Sequence, residues 1–137
     1  MKRGKKRAAA FSAACALLMQ TIPAYAAASG STVQISEVCT QNRASLTDSY
    51  GNASDWIELR CSGSTAADLS GWTISDSGAE FTFPQGYSIP AGGYAVIFAS
   101  KQQSAGDELH TGFALSKNGE TLTLSSPDGT MLGCQGI

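Results

Sequence analysis

Apolar residues in this chain recur mostly at every second position, in short runs separated by Gly, Pro, Asp and Asn, which is the periodicity of pleated strands rather than of helices. The strongest run is Asp55-Trp56-Ile57-Glu58-Leu59. In a strand, Ile57 and Leu59 face one side while Trp56 and Glu58 face the other, so a carboxylate shares a face with an indole. Across a short polar loop follows Leu69-Ser70-Gly71-Trp72, which predicts a sharp corner carrying a second buried aromatic.

The other strands follow from the same pattern. Val33 to Cys39 is β-branched and alternating, and a bulge is expected where Glu37 and Val38 break the period. Residues 40–54 hold few apolar side chains, chiefly Leu46 and Tyr50, and predict a loop of functional length. Asp76-Ser77-Gly78 is a turn, after which Ala79, Phe81 and Phe83 line one face of a partner strand until Pro84 stops it. Ile89-Pro90-Ala91-Gly92-Gly93 makes another corner and leads into Tyr94 to Ala99, apolar on both faces and therefore expected in mid-sheet. Phe113 and Leu115 are expected to start a further strand, with Asn118-Gly119 as a hairpin turn and Leu122 and Leu124 returning. Ser126-Pro127-Asp128-Gly129 turns once more into 130–134. About eight short strands without helical periodicity predict an all-β, immunoglobulin-like β-sandwich. The order Cys39, Trp72, Cys134 is not that of an antibody domain, because Trp72 follows a glycine corner and position 132 is Leu, where such domains carry Tyr.

The N-terminus carries a different pattern. Met1 to Arg7 is basic, Ala8 to Ile22 is apolar, and Ala24-Tyr25-Ala26 supplies the small residues of a signal-peptidase site. Residues 1–26 are therefore expected to be a signal peptide cleaved after Ala26, 27–32 a flexible leader, and 33–137 the single folded domain. A retained membrane anchor fits less well, because the run is Ala-rich, is followed by Pro23 and ends in a cleavage pattern. Cys15 lacks the preceding Leu and the longer apolar stretch of a lipoprotein site.

Cleavage changes the charge. Five of the nine Lys and Arg lie in residues 2–7, which leaves Arg43, Arg60, Lys101 and Lys117 against eleven Asp and Glu, a net charge of −7. Such a domain repels phosphate backbones, so nucleic acid is not an expected partner. Cys39, Cys61 and Cys134 are odd in number and cannot all pair with one another, which outside the cytoplasm points to a partner elsewhere, a buried thiol or an incomplete chain. With no CxxC pair and His110 as the only histidine, a zinc site is not expected.

Candidate chemistry is sparse. A Ser-His-Asp hydrolase would have to use His110, and no Gly-x-Ser-x-Gly nucleophile turn accompanies it, so His110 is expected to be structural. Asp55 and Glu58 point to opposite faces of one strand and cannot act as a glycosidase pair. Glu58, on a buried strand, needs amide donors or Arg60 or Arg43 to offset its desolvation, and reads as a structural acceptor. Asp48, Asn52 and Asp55 could collect a calcium ion, but without an EF-hand spacing an ordinary polar loop is preferred. Asn52-Ala53-Ser54 matches a glycosylation acceptor, a motif frequent by chance.

Taken in order, Ile35-Ser36-Glu37-Val38, Asp55-Trp56-Ile57-Glu58-Leu59, Leu69-Ser70-Gly71-Trp72-Thr73-Ile74-Ser75-Asp76, Phe83-Pro84, Ile89-Pro90-Ala91-Gly92-Gly93-Tyr94 and Phe113-Ala114-Leu115-Ser116 before Gly119-Glu120 resemble the bacterial form of the lamin tail domain. The resemblance spans about residues 33–134. It implies an immunoglobulin-like sandwich with no catalytic activity of its own, found in exported proteins alone or joined to nucleases and spore-coat-type kinase-like domains; no catalytic residue, cofactor or metal is expected in this chain. Its motif positions are Glu37, Asp55, Trp56, Ile57, Glu58, Leu59, Leu69, Gly71, Trp72, Pro90, Gly92, Gly93, Phe113 and Leu115, all expected to be structural. Nuclear lamin relatives bind proteins and DNA, but this chain lacks their coiled-coil rod and a basic surface. The family usually continues past its last strand, whereas this chain stops at Gly136-Ile137, which leaves its completeness and the pairing of Cys134 open. The expected function is that of a secreted or cell-envelope, non-catalytic interaction module that contacts a protein or envelope component, with no stable membrane insertion after signal cleavage. The alternative is an accessory domain of a longer secreted enzyme, which catalytic motifs beyond Ile137 would reveal.

Overall fold

A computed structural model describes residues 33–136, with side chains through Met131. The expected signal peptide, the leader and the Cys134 side chain lie outside these described residues. The strands are β1 (Val33–Cys39), β2 (Asp55–Cys61), β3 (Ala67–Asp68), β4 (Thr73–Ser75), β5 (Glu80–Thr82), β6 (Ser88–Ile89), β7 (Tyr94–Ala99), β8 (Leu109–His110), β9 (Thr121–Ser125) and β10 (Met131–Gly136). They form two four-stranded sheets, ordered β1-β2-β7-β8 and β10-β9-β4-β5, with β3 and β6 as a separate two-stranded ribbon. This is the expected sandwich. Its strands number ten among the described residues because three two-residue pieces, β3, β6 and β8, are too short to leave a periodic trace in the sequence.

Alternation places the core. Ile57, Leu59 and Ile97 from the first sheet meet Ile74, Leu122 and Leu124 from the second, and all are completely buried. Leu69, Phe83 and Ile89 close the same core, with Phe81 edge-on to Phe83 at 5.2 Å. The other face of the first sheet is also covered. Trp56, Phe98 and Cys39 form a second apolar cluster there, with Leu46 of the 40–54 loop packed onto it. This double cover explains why β7 is apolar on both sides.

Register in β1 shifts between Ile35 and Glu37, just before the expected bulge, and brings Glu37 opposite Glu58 and Cys39 opposite Trp56. Cys61 pairs instead with Val33, on the core face. The five-residue offset along β2 separates the two thiols by about 17 Å, too far for a disulfide between them.

Three expectations are corrected. Phe113 and Leu115 are buried core residues but not a strand; Ala114 makes a single bridge to Ser100, and the strand lies earlier, at β8, parallel to β7. Between them the Thr111 hydroxyl donates to the Phe113 carbonyl at 2.6 Å, a local bond that competes with a ladder. Asn118-Gly119 does turn the chain, with Gly119 at φ 93°, yet β9 pairs with β4 and β10 in the opposite sheet. The turn is a crossover, because a turn motif fixes a local reversal and Leu122 and Leu124 choose the partner by burial. Trp72 is only partly buried. It shares the inward parity of Ile74 but stands one residue before β4, at the rim, where Gly71 at φ 73° breaks the pleat.

Candidate functional site

Two long loops, 40–54 and 100–108, leave the same end of the first sheet, since Cys39 pairs with Trp56 and Ala99 with Asp55. Each starts from a non-glycine residue in the left-handed region, Gln41 at φ 56° and Lys101 at φ 61°. Such backbone is uncommon and persists where its surroundings determine it.

The 40–54 loop is built around two buried polar side chains. The Asn42 amide donates to the Leu46 and Ser54 carbonyls at 2.8 and 2.9 Å. Its oxygen accepts from the Ser45 amide and hydroxyl at 3.0 and 2.8 Å. The Asp48 carboxylate accepts from the amides of Tyr50 and Asn52 and from the Ser54 hydroxyl. Burial opposes its ionisation, but these donors, with His110 nearby, outweigh burial and hold its pKa below the ordinary value. Asp55 accepts from the Asn42 main-chain N–H at 2.9 Å. Through these bonds Asp48 and Asp55 both brace the polar loop.

His110 joins this loop to the next one. Its ring is completely buried, with the Ser100 hydroxyl 2.6 Å from Nδ1 and Glu108 Oε1 2.7 Å from Nε2. The Gln102 amide donates to the Ser100 oxygen at 3.2 Å, consistent with a serine hydrogen on Nδ1 and an imidazole hydrogen on Nε2. The same Glu108 oxygen accepts the Ser49 amide at 2.8 Å. Phe98 stacks on one side of the ring at 5.5 Å, and Tyr50 meets it edge-on at 5.4 Å. The Tyr50 hydroxyl then donates to the Gln103 carbonyl at 2.9 Å. Burial works against the Glu108 charge, yet Ser49 and His110 outweigh it and lower its pKa.

A serine, an imidazole and a carboxylate in line resemble a hydrolase relay. The same contacts form a clamp between the loops. Lys101 N–H donates to the Thr111 carbonyl at 3.0 Å and Gln102 N–H to Ser100 itself, so the two amides that follow the serine are already engaged. What the arrangement does is lock residues 49–50 to 100–110 through one side chain.

The motif residues are spread through the domain and build the scaffold that carries this end. Ile57, Leu59, Leu69, Phe113 and Leu115 are core; Trp56 is 5% exposed, in the outer cluster, and donates from Nε1 to the Ser45 hydroxyl at 3.2 Å. Pro90 accepts the Gly93 amide at 2.8 Å, and Gly92 takes φ 66° between them. A Cβ at Gly93 would lie 2.9 Å from the Pro90 carbonyl, so the corner excludes any side chain. Glu58 accepts the Ser36 hydroxyl at 2.7 Å, and Arg60 is not its partner, lying 5.6 Å over the Tyr94 ring. Across from it, Glu37 Oε1 is buried with no hydrogen-bond partner among the described residues. Burial, then the Glu58 charge, raise the Glu37 pKa. The carboxylate under strain is thus Glu37 rather than Glu58.

The ordered frame agrees with a match to a family model: the lamin tail domain covers residues 26–133. The chain belongs to the lamin tail domain family. No curated protein sequence matches the chain significantly. Lamin tail domains are immunoglobulin-like interaction domains, and in this one the motif positions build the scaffold while the clamp sets its loops. Ser100 and Glu108 went unread in the sequence, and Tyr50 was read only as an apolar residue of the loop. A usable trace was present for one of them, because Glu108 stands two residues before the only histidine and so on the same side of an extended segment.

Proposed function

We propose that this lamin tail domain is an exported, non-catalytic interaction module that contacts a protein or cell-envelope component through the loop end described above. The observation that carries the reading is the His110 clamp: it fuses two long polar loops into one fixed surface and displays the Tyr50 ring, 48% exposed. Loops held by a rigid scaffold are where recognition is usually placed, and a fixed aromatic ring supplies contact area at low entropic cost. Export rests on the basic, apolar and Ala-Tyr-Ala segments in turn. The absence of catalysis is supported by the engaged amides after Ser100.

Capture of envelope extract on immobilised protein tests the reading. Tyr94, 53% exposed at the opposite end of β7, provides the control. Tyr50→Ala should lose the captured component and Tyr94→Ala should retain it; equal capture by both variants would remove the loop end from consideration.

A further inference from the structure

The chain holds three asparagines, and the fold treats them differently. Asn42 is buried with both side-chain atoms hydrogen-bonded. Asn52 is exposed, but its main chain exchanges bonds with Asp48 in both directions, at 2.9 Å each, and Ala53 follows it. Asn118 is exposed, and its side chain makes no hydrogen bond to any described residue. The residue after it is Gly119, which has no Cβ to hinder approach and whose N–H is held only by a long 3.4 Å bond to the Ser116 carbonyl. The crossover thus sets a free amide beside an unhindered, loosely held backbone nitrogen.

We propose that Asn118–Gly119 is a self-modifying site at which the crossover between the two sheets converts to isoaspartate. The deprotonated Gly119 nitrogen attacks Asn118 Cγ; the new C–N bond closes a five-membered succinimide, the Cγ–Nδ2 bond breaks, and ammonia leaves with the proton that Gly119 gave up. Solvent water then opens the ring. Cleavage at the former main-chain carbonyl of Asn118 leaves isoaspartate, and cleavage at Cγ leaves aspartate. No oxidant, cofactor or enzyme enters the balance.

The position gives the reaction a consequence. Glu120 Oε1 accepts the Ser116 amide at 2.8 Å and brackets the turn, so either product places a second carboxylate against that bracket. Isoaspartate also adds a methylene to the main chain between Leu115 and Leu122, both buried. Modified protein has a longer, more negative crossover whose two ends remain fixed in the core.

Peptide mapping of purified protein aged at neutral and mildly alkaline pH tests this, with isoaspartate and aspartate peptides separated and protein aged in urea as the unfolded reference. Asn118 should lose its amide at least about tenfold faster than Asn52 in the folded protein, a barrier difference of about 1.4 kcal/mol. The rate should rise with pH, and isoaspartate should be the main product. Equal rates at Asn118 and Asn52 would overturn the proposal. So would rapid loss at Asn118 in urea with none in the folded protein, because the fold would then protect the turn.

Discussion

Replacing Trp56 by Ala should cost more stability than replacing any other aromatic outside the main core. Trp56 is 5% exposed, although it lies on the far side of the first sheet, where it packs with Cys39, Phe98 and Leu46. Truncating a buried aromatic of this kind costs about 3–5 kcal/mol. The lost bond from Nε1 to the Ser45 hydroxyl accounts for about 1 kcal/mol of that total. Trp72 is partly buried, so its truncation should cost only about 1–3 kcal/mol on its smaller buried area. With a urea dependence of about 2 kcal/mol per molar, Trp56→Ala should lower the unfolding midpoint by about 2 M, roughly twice the effect of Trp72→Ala. Far-UV circular dichroism is the appropriate probe, since both variants remove a fluorophore. Trp56→Phe should recover most of the loss by restoring area without the hydrogen bond. A midpoint for Trp56→Ala above that of Trp72→Ala would show that the 40–54 loop does not cover this face in solution.

Glu37→Gln should raise the unfolding midpoint at neutral pH. The native Glu37 pKa is raised, so its contribution is present below the ordinary glutamate value and is lost as pH rises through the raised value. The wild type should therefore lose stability across that window and the variant should not; parallel pH profiles would contradict the buried, unpartnered oxygen. Gly93→Ala should cost about 1–3 kcal/mol through overpacking on the Pro90 carbonyl, measured by thermal unfolding. Finally, duplex DNA should give no mobility shift at physiological salt, because four scattered basic residues against eleven acidic ones cannot assemble the phosphate contacts behind even non-specific affinities of about 10⁻⁴ to 10⁻⁶ M.

The strands that were legible in the sequence are those whose side chains state their own surroundings. Asp55–Cys61 and Tyr94–Ala99 carry enough apolar residues to require cover, and the structure pairs them with each other. The Asp76 turn was equally plain, since the carboxylate accepts the Gly78 and Ala79 amides and closes the reversal within a few residues. What stayed hidden depends on partners distant in the chain. Nothing local distinguishes a hairpin at Gly119 from a crossover, because the choice is made when Leu122 and Leu124 bury against Ile74 rather than beside Phe113. The clamp was hidden for the same reason: Ser49 and Glu108 meet across 59 positions of sequence. Glu37 was read at the bulge but not as a costly carboxylate, because its burial, and then its place opposite Glu58, arise only once β1 and β2 have paired.

The clamp also constrains how the two loops can be altered. Because Tyr50, Ser100 and Glu108 meet one imidazole and Ser49 is tied to it through Glu108, neither loop can be shortened, lengthened or transplanted alone without unseating the other. A library that diversifies the exposed positions 43, 44, 47, 102 and 103 while keeping those four residues and His110 would vary the tip on an unchanged mount. The domain thereby offers a two-loop display scaffold with a single shared anchor.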